Sequence, residues 1–377
     1  MKSVLQPIKN YRQISEIDEK VRICILGEYI PHATNTMKYI LSSILALTMG
    51  VTASVAQIPG MMSMPSAQPL EGTSLGANET SSYNGIALGN RVKLRGFVDF
   101  QYKYEDQGTS DTAEFLTEGD VDFLVDFSPV TGEVHLAYKK GASQPVTLEQ
   151  VFGRYSFNQD FNLSFGRQLT NLGYEADEAP GLYSVTGAYN GLGVVTSRRN
   201  YVDGVRANFN NGQFGLSLGL HDDYFMKQDN FNDHFAIDIA ASVMIVPGLE
   251  ARLGFAHQDD ENAAQDDNVN QFNAWLAYNP GALTLALEFD IFDVYGDEIW
   301  DLMLLANYQF VDWFGATFRY SHEDLDPFVG ADSDADRFTL ALLFSLTQNL
   351  FLNVEYSHTA LDPEDVDEFY IEGLFTF

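Results

Sequence analysis

The chain has 377 residues and a formal charge of −32, from 53 Asp+Glu against 21 Lys+Arg. That excess excludes nucleic acid as a partner, since phosphate binding needs clustered Lys and Arg. The 28 Phe and 19 Tyr exclude an acidic disordered chain.

Residues 1–36 carry mixed charges and no apolar core, and read as an upstream extension before a true start at Met37. From Met37 the sequence MKYILSSILALTMGVTASVAQ has one Lys, an apolar run, then Ser54-Val55-Ala56. Those three parts predict a signal peptide over 37–56, cut after Ala56, because the run is too short for a spanning helix. Export would leave 15 basic and 49 acidic residues, a net charge of −34. The sole cysteine, Cys24, would be removed, so no disulfide framework and no thiolate metal site are expected. Residues 57–89, rich in Met, Pro, Ser and Gly without a period, read as a flexible periplasmic lead-in.

From Arg91 onward, segment by segment, residues of one parity are apolar and those of the other polar or small. Val92, Leu94, Val98, Phe100 and Tyr102 alternate with Lys93, Arg95, Asp99 and Gln101, and Phe338, Leu340, Leu342 and Phe344 alternate with Arg337, Thr339 and Ala341. Period two is the period of a β-strand. Sixteen such segments follow, at 91–104, 115–128, 131–140, 146–157, 161–169, 201–209, 213–222, 233–245, 248–258, 269–279, 282–293, 297–310, 313–322, 336–346, 349–359 and 367–377. Short turns such as Asn210-Asn211-Gly212 and Asn279-Pro280-Gly281 alternate with longer polar linkers, although 141–145 and 294–296 are short for their side. An even number of strands near ten residues, with turns on one side and loops on the other, predicts an all-β transmembrane antiparallel barrel over 90–377. A soluble β-sandwich would leave half of these faces unexplained. Tyr102, Tyr104, Tyr138, Tyr278, Trp300, Tyr308, Phe310, Tyr320 and Tyr356 sit near strand ends, where interfacial girdles belong.

A barrel of this size leaves an aqueous lumen. The polar parity is expected to line it: Lys93, Asp99, Asp120, Asp122, Asp126, Glu133, His135, Lys139, Asp238, Glu250, Glu288, Asp290, Asp301, Arg319, Glu355 and Glu372. Facing lipid, each charge would cost several kcal/mol near the midplane. The longest linker, 170–200, is the third outer loop and holds Glu175, Asp177, Glu178, Arg198 and Arg199. Two readings stand side by side: an acidic constriction facing Arg95, Arg206 and Arg252, or an acidic loop lying over the mouth.

The segments GFVDFQYKY (96–104), FNLSFGRQLTNLGYEADEAPGLYS (161–184) and DGVRANFNNGQFGLSLGL (203–220) resemble the OmpL-like β-barrel porin family. The resemblance implies an outer-membrane diffusion porin of Gram-negative bacteria, with no catalytic residues and a third loop that general porins fold inward. A Pro common before the Gly of the family's "GYE" motif is Leu172 here. The implied function is passive passage of small hydrophilic solutes, with cations preferred on account of the charge. Expected partners are outer-membrane lipid and lipopolysaccharide, the barrel assembly machinery, and further copies of the chain as a trimer.

Two rivals are an outer-membrane hydrolase and a surface adhesin. The near repeats Tyr320-Ser-His-Glu-Asp-Leu-Asp-Pro327 and Tyr356-Ser-His-Thr-Ala-Leu-Asp-Pro363, with His221 and His257, would ring the mouth with His and carboxylates. A solvated acidic rim accounts for them as well. Asp332-Ser-Asp334-Ala-Asp336 departs from a calcium loop, with Arg337 where Gly belongs and Leu343 where Glu belongs. No cofactor is expected beyond loose Ca²⁺ or Mg²⁺ at the acidic outer loops. Finally, Phe369, Ile371, Phe375 and Phe377 put an apolar parity at the very end of FYIEGLFTF, as an assembly signal in a last strand that should pair with the first.

Overall fold

The computed structural model describes residues 85–108, 110–190, 192, 201–225, 231, 235–259, 268–327, 330–362 and 364–377. The proposed extension, signal peptide and most of the lead-in lie outside them, as do Arg198 and Arg199. The strands are β1 (Ile86–Ala87), β2 (Val92–Asp106), β3 (Asp111–Phe127), β4 (Val130–Lys139), β5 (Val146–Ser156), β6 (Phe161–Leu169), β7 (Tyr201–Asn210) and β8 (Phe214–His221). They continue with β9 (Ala236–Val246), β10 (Leu249–Asp259), β11 (Asn268–Tyr278), β12 (Leu283–Val294), β13 (Asp297–Val311), β14 (Phe314–Asp326), β15 (Ser333–Ser345), β16 (Leu350–Leu361) and β17 (Val366–Thr376). From β2 to β17 each strand pairs antiparallel with the next, and β17 returns to β2, closing a sixteen-strand barrel.

The alternation reads out as an inverted protein. Along β8, Phe214, Leu216, Leu218 and Leu220 are exposed while Gly215, Ser217, Gly219 and His221 are buried. The same holds around the ring, where Val98, Phe100, Leu253, Phe318 and Leu340 form part of an exposed apolar belt. A belt this continuous is foreign to soluble monomers and is what lipid requires. Trp300 and Phe310, both on the outer face of β13, mark its edges. Their ten-residue spacing is about 34 Å along a strand, or about 25 Å across the bilayer at a tilt of about 40°.

Short turns at one end are built by their side chains. Asn158 Oδ1 accepts the amides of Asp160 and Phe161, and Asn211 Oδ1 accepts those of Gln213 and Phe214, the local bonding that makes Asn a turn residue. At the opposite end β12 and β13 are joined by Tyr295 (φ 55°) and Gly296 (φ 92°) alone, so the outer side also carries a tight hairpin.

Three outer boundaries extend three or four residues beyond expectation. β3 starts at Asp111 rather than 115, and β14 and β15 run on to Asp326 and from Ser333. These outer ends are polar on both faces, so apolar alternation stops while the backbone ladder continues, as in the pairing of Asp324 with Asp334. The end of the lead-in is ordered: β1 folds back on β2 through Gly89 (φ 99°), with the Leu88 amide donating to the Val92 carbonyl.

The seam carries the chain's last residue. Phe377 N–H donates to Gly96 O (2.9 Å) and Gly96 N–H to Phe377 O (3.0 Å). A Cβ on Gly96 would meet the Phe377 ring at 2.7 Å and the Asp120 carbonyl at 2.2 Å, so only glycine fits beneath that ring. Tyr370, Glu372, Leu374 and Thr376 are buried in the lumen wall, and Ile371 and Phe375 face outward. Deleting Phe377 should lower the folded barrel recovered from membranes several-fold, read as the heat-modifiable band on gels. Channels that do insert should conduct as wild type.

Candidate functional site, a loop folded across the lumen

The lumen wall is crowded with charge. Among the described residues fourteen carboxyl groups and six guanidinium groups are buried, all on the inner parity of strands or on inward-folded loops. Buried charges need partners, and the third loop supplies many of them.

Immediately after β6 the chain turns inward. Arg206 Nη1 donates to the Leu169 carbonyl (2.8 Å), Arg252 Nη2 to the Asn171 carbonyl (2.5 Å), and Asn171 Nδ2 to Ser217 Oγ (2.8 Å). Leu172, fully buried, sits on Gly254 of β10, where an added Cβ would stand 2.2 Å from it. The Leu that departs from the family motif is thus the apolar foot of the loop. Gly173 N–H then reaches Asn273 (3.3 Å) and Tyr174 N–H reaches Glu288 (3.0 Å), while the Tyr174 ring meets Trp275 edge-on at 5.5 Å.

The loop's anchor is Arg319 on β14. Its guanidinium donates to both Glu175 oxygens (3.0 Å each), Ser184 Oγ (2.8 Å), Thr186 O (2.7 Å) and Gly187 O (2.9 Å). Beside it Glu355 on β16 accepts the amides of Val185 (2.6 Å) and Thr186 (3.0 Å) and the Thr186 hydroxyl (2.5 Å). Thr317 donates to the Tyr183 carbonyl. Strands β6 and β14 are eight apart either way round a ring of sixteen. The loop therefore spans the bore, and the reading that lays it over the mouth is corrected for residues 170–190.

The other loop carboxylates turn back toward the near wall. Tyr201 OH lies 2.8 Å from both Asp177 and Glu149. Glu178 lies 3.9 Å from His135. Burial pushes the Glu178 carboxyl above its ordinary range, and His135 and Arg95 oppose that shift. A second outer segment also enters: Tyr224 and Phe225 are buried, with both amides donating to Gln258 Oε1 at 2.8 Å.

The expected pairing of loop acids with Arg206 and Arg252 needs correction, whereas the charge of Arg95 does act on Glu178. Arg95 is held by Asp122 (2.7 Å) and Glu133 (3.6 Å), and Arg206 by Asp238 (3.6 Å). Arg206 and Arg252 grip loop carbonyls, so they hold the loop by its backbone. The partner of the Glu175 carboxylate is Arg319. Of the other predicted lining residues, Asp99, Asp120, Asp122, His135, Asp238, Glu288, Asp290, Arg319 and Glu355 are buried within the wall, and Glu250 is partly so. Lys93 and Asp126 are exposed, and Asp126 accepts the Ser128 amide and hydroxyl at a turn.

Sequence reading overlooked two residues. Arg337 lies on the polar parity of β15, fully buried against Glu368 (2.5 Å) and Thr359 (2.9 Å), and parity alone would have found it. Glu149 is the extra residue of a β-bulge, where His135 pairs with Gln150 but Leu136 with Leu148, so strict parity points it the wrong way. The supposed ring of histidines divides. His221 faces inward to Asp238 (2.6 Å), while His322 with Asp336 (2.8 Å) and His358 with Asp367 (2.9 Å) lie on the outward parity.

A closed sixteen-strand barrel with an apolar belt and a loop braced across its lumen defines the outer-membrane porin class. The family model described as "Putative beta-barrel porin-2, OmpL-like" matches residues 115–373, more than half of the chain, and the chain belongs to that family. The barrel is similar in fold to Salmonella typhi OmpF in complex with daunomycin (TM-score 0.63, 13% identity, covering 76% of this chain and 98% of that one). It is also similar to an anion-selective porin from Comamonas acidovorans (TM-score 0.57, 15% identity, 76% and 99%). A third likeness is to OmpT of Vibrio cholerae in trimer form (TM-score 0.55, 13% identity, 76% and 100%). No curated protein matches the chain by sequence.

Removing one side of a buried ion pair costs about 3–5 kcal/mol. Arg319→Ala should therefore speed hydrogen exchange at the Val185 and Thr186 amides about a hundredfold or more, with the strand amides unchanged. Gly254→Leu should loosen the same segment by unseating Leu172, without touching a charge.

Proposed function

We propose that this porin is a diffusion channel for small hydrophilic solutes, with cations preferred and the path narrowed by residues 170–190. One observation carries the reading: the loop is docked across the bore by Arg319 and Glu355, with Glu175, Asp177 and Glu178 brought inside the barrel. The fourteen buried carboxyls against six guanidinium groups support a negative interior. Such a field favours cations along the path, since local charge governs permeation.

Export through a signal peptide over 37–56, delivery by the barrel assembly machinery using Phe369, Ile371, Phe375 and Phe377, and contacts with lipopolysaccharide belong to the same proposal. So does association into trimers, the form of the Vibrio cholerae fold relative. A rim hydrolase finds less support, because His221 with Asp238 faces the lumen while His322 with Asp336 and His358 with Asp367 lie on the outward parity.

Planar-bilayer recordings under a KCl gradient test the reading. The reversal potential should move toward the potassium equilibrium value, and Glu175→Gln should reduce that displacement. A shift toward chloride would overturn the cation preference; an absence of conductance steps would overturn the channel.

A further inference from the structure

The charged groups inside the barrel are sorted along its axis. Among the described residues, four of the six buried guanidinium groups lie within four residues of the turn end of their strands: Arg95, Arg154, Arg206 and Arg252. Only two of the fourteen buried carboxyl groups, Glu133 and Glu372, lie that close to the turns. Four residues rise about 13 Å along a strand, or about 10 Å along the axis at a tilt of about 40°. Beyond that level the balance reverses, with twelve buried carboxyls against Arg319 and Arg337.

Ion pairing does not cancel this order. Arg95 with Asp122 (2.7 Å) and Arg206 with Asp238 (3.6 Å) each have the cation nearer the turns and the carboxylate nearer the loops. The less buried inward charges keep the contrast. Lys93 stands with Asp126 and Glu250 at the turn end, while toward the loops Glu105, Glu118, Glu149 and Glu175 outnumber Lys103 and Lys139.

We infer that the lumen is bipolar, acidic toward the loops and neutral to basic at the turns, so that the channel passes current unequally in the two directions. The inference rests on the channel reading above. Charges on a low-dielectric wall set the local concentration of counter-ions. Cations therefore gather in the loop half, and anions are admitted at the turn half. With the loop side positive, cations are driven from their own half toward the turns and anions the opposite way. Both carriers then collect where the halves meet, and conductance rises. The reverse voltage draws both away from that junction, and conductance falls.

Planar-bilayer recordings on the full chain, with equal KCl on both sides, test this. A biotin on Asp332→Cys at the outer rim, in a Cys24→Ser chain, reports the orientation of each channel when streptavidin is added to one chamber. At about 0.1 M KCl, where the Debye length is about 10 Å, current with the loop side positive should exceed current at the opposite voltage. At about 1 M, where that length is about 3 Å, the ratio should approach one. Lys93→Glu at the turn end and Glu118→Gln toward the loops should each lower the low-salt ratio, and neither residue is buried. Conducting channels with a linear current–voltage curve at low salt, or with the larger current in the opposite sense, would overturn the inference and leave the channel reading standing. Silent bilayers would overturn both.

Discussion

Everything in this molecule follows from the demand that lipid makes on a backbone. No water is present in the hydrocarbon layer to satisfy a free N–H or C=O, so a sheet there must close on itself. Closure at β17 and β2 then assigns each residue to lipid or to lumen by parity alone. Apolar side chains take the outside, and the charged ones are collected inside. The crowd of carboxylates in the lumen is thus a direct product of hydrogen-bond closure.

Collected charge creates a second problem, which the third loop answers. A buried carboxylate or guanidinium without partners costs several kcal/mol. The loop brings amides, carbonyls and carboxylates to those groups: Glu355 receives two amides, Arg252 and Arg206 receive carbonyls, and Arg319 receives Glu175. Wall and loop are each incomplete alone. Leu172 on Gly254 and Tyr174 against Trp275 add the apolar contacts that fix the loop's height. The charged groups lining the bore are thus structural first, because they also hold the loop in place.

Much of this was legible in the sequence for a physical reason. Period-two alternation is imposed by lipid on one side and water on the other, so the sixteen strands and the parity of Phe369 to Phe377 could be read directly. Signals failed where that two-sided environment ends. Above the membrane, Asp324 and Asp334 pair without any apolar face to announce them. At the β5 bulge one extra residue reverses the parity of Glu149. Loop docking leaves no periodic trace either. The acids of residues 175–178 announced a charged loop, but their partners lie on strands far away in sequence, so Arg319 was recognised as lining and its role as anchor was not. Leu172 looked like a defect in a motif until Gly254 was seen beneath it.

The seam between Gly96 and Phe377 also has a kinetic meaning. Its partners lie about 280 residues apart, so closing it joins the two ends of the barrel-forming chain. Loop-closure entropy must be met in full before the reward arrives, and contacts of such long range are the slowest to form. Every other strand pair is a local hairpin or its neighbour, available as soon as both halves exist. The barrel can therefore be preassembled as a curved, open sheet whose last event is a single zippering step. Until that step both edge strands remain unpaired, which makes the interval before closure the stage at which the chain is most exposed to aggregation.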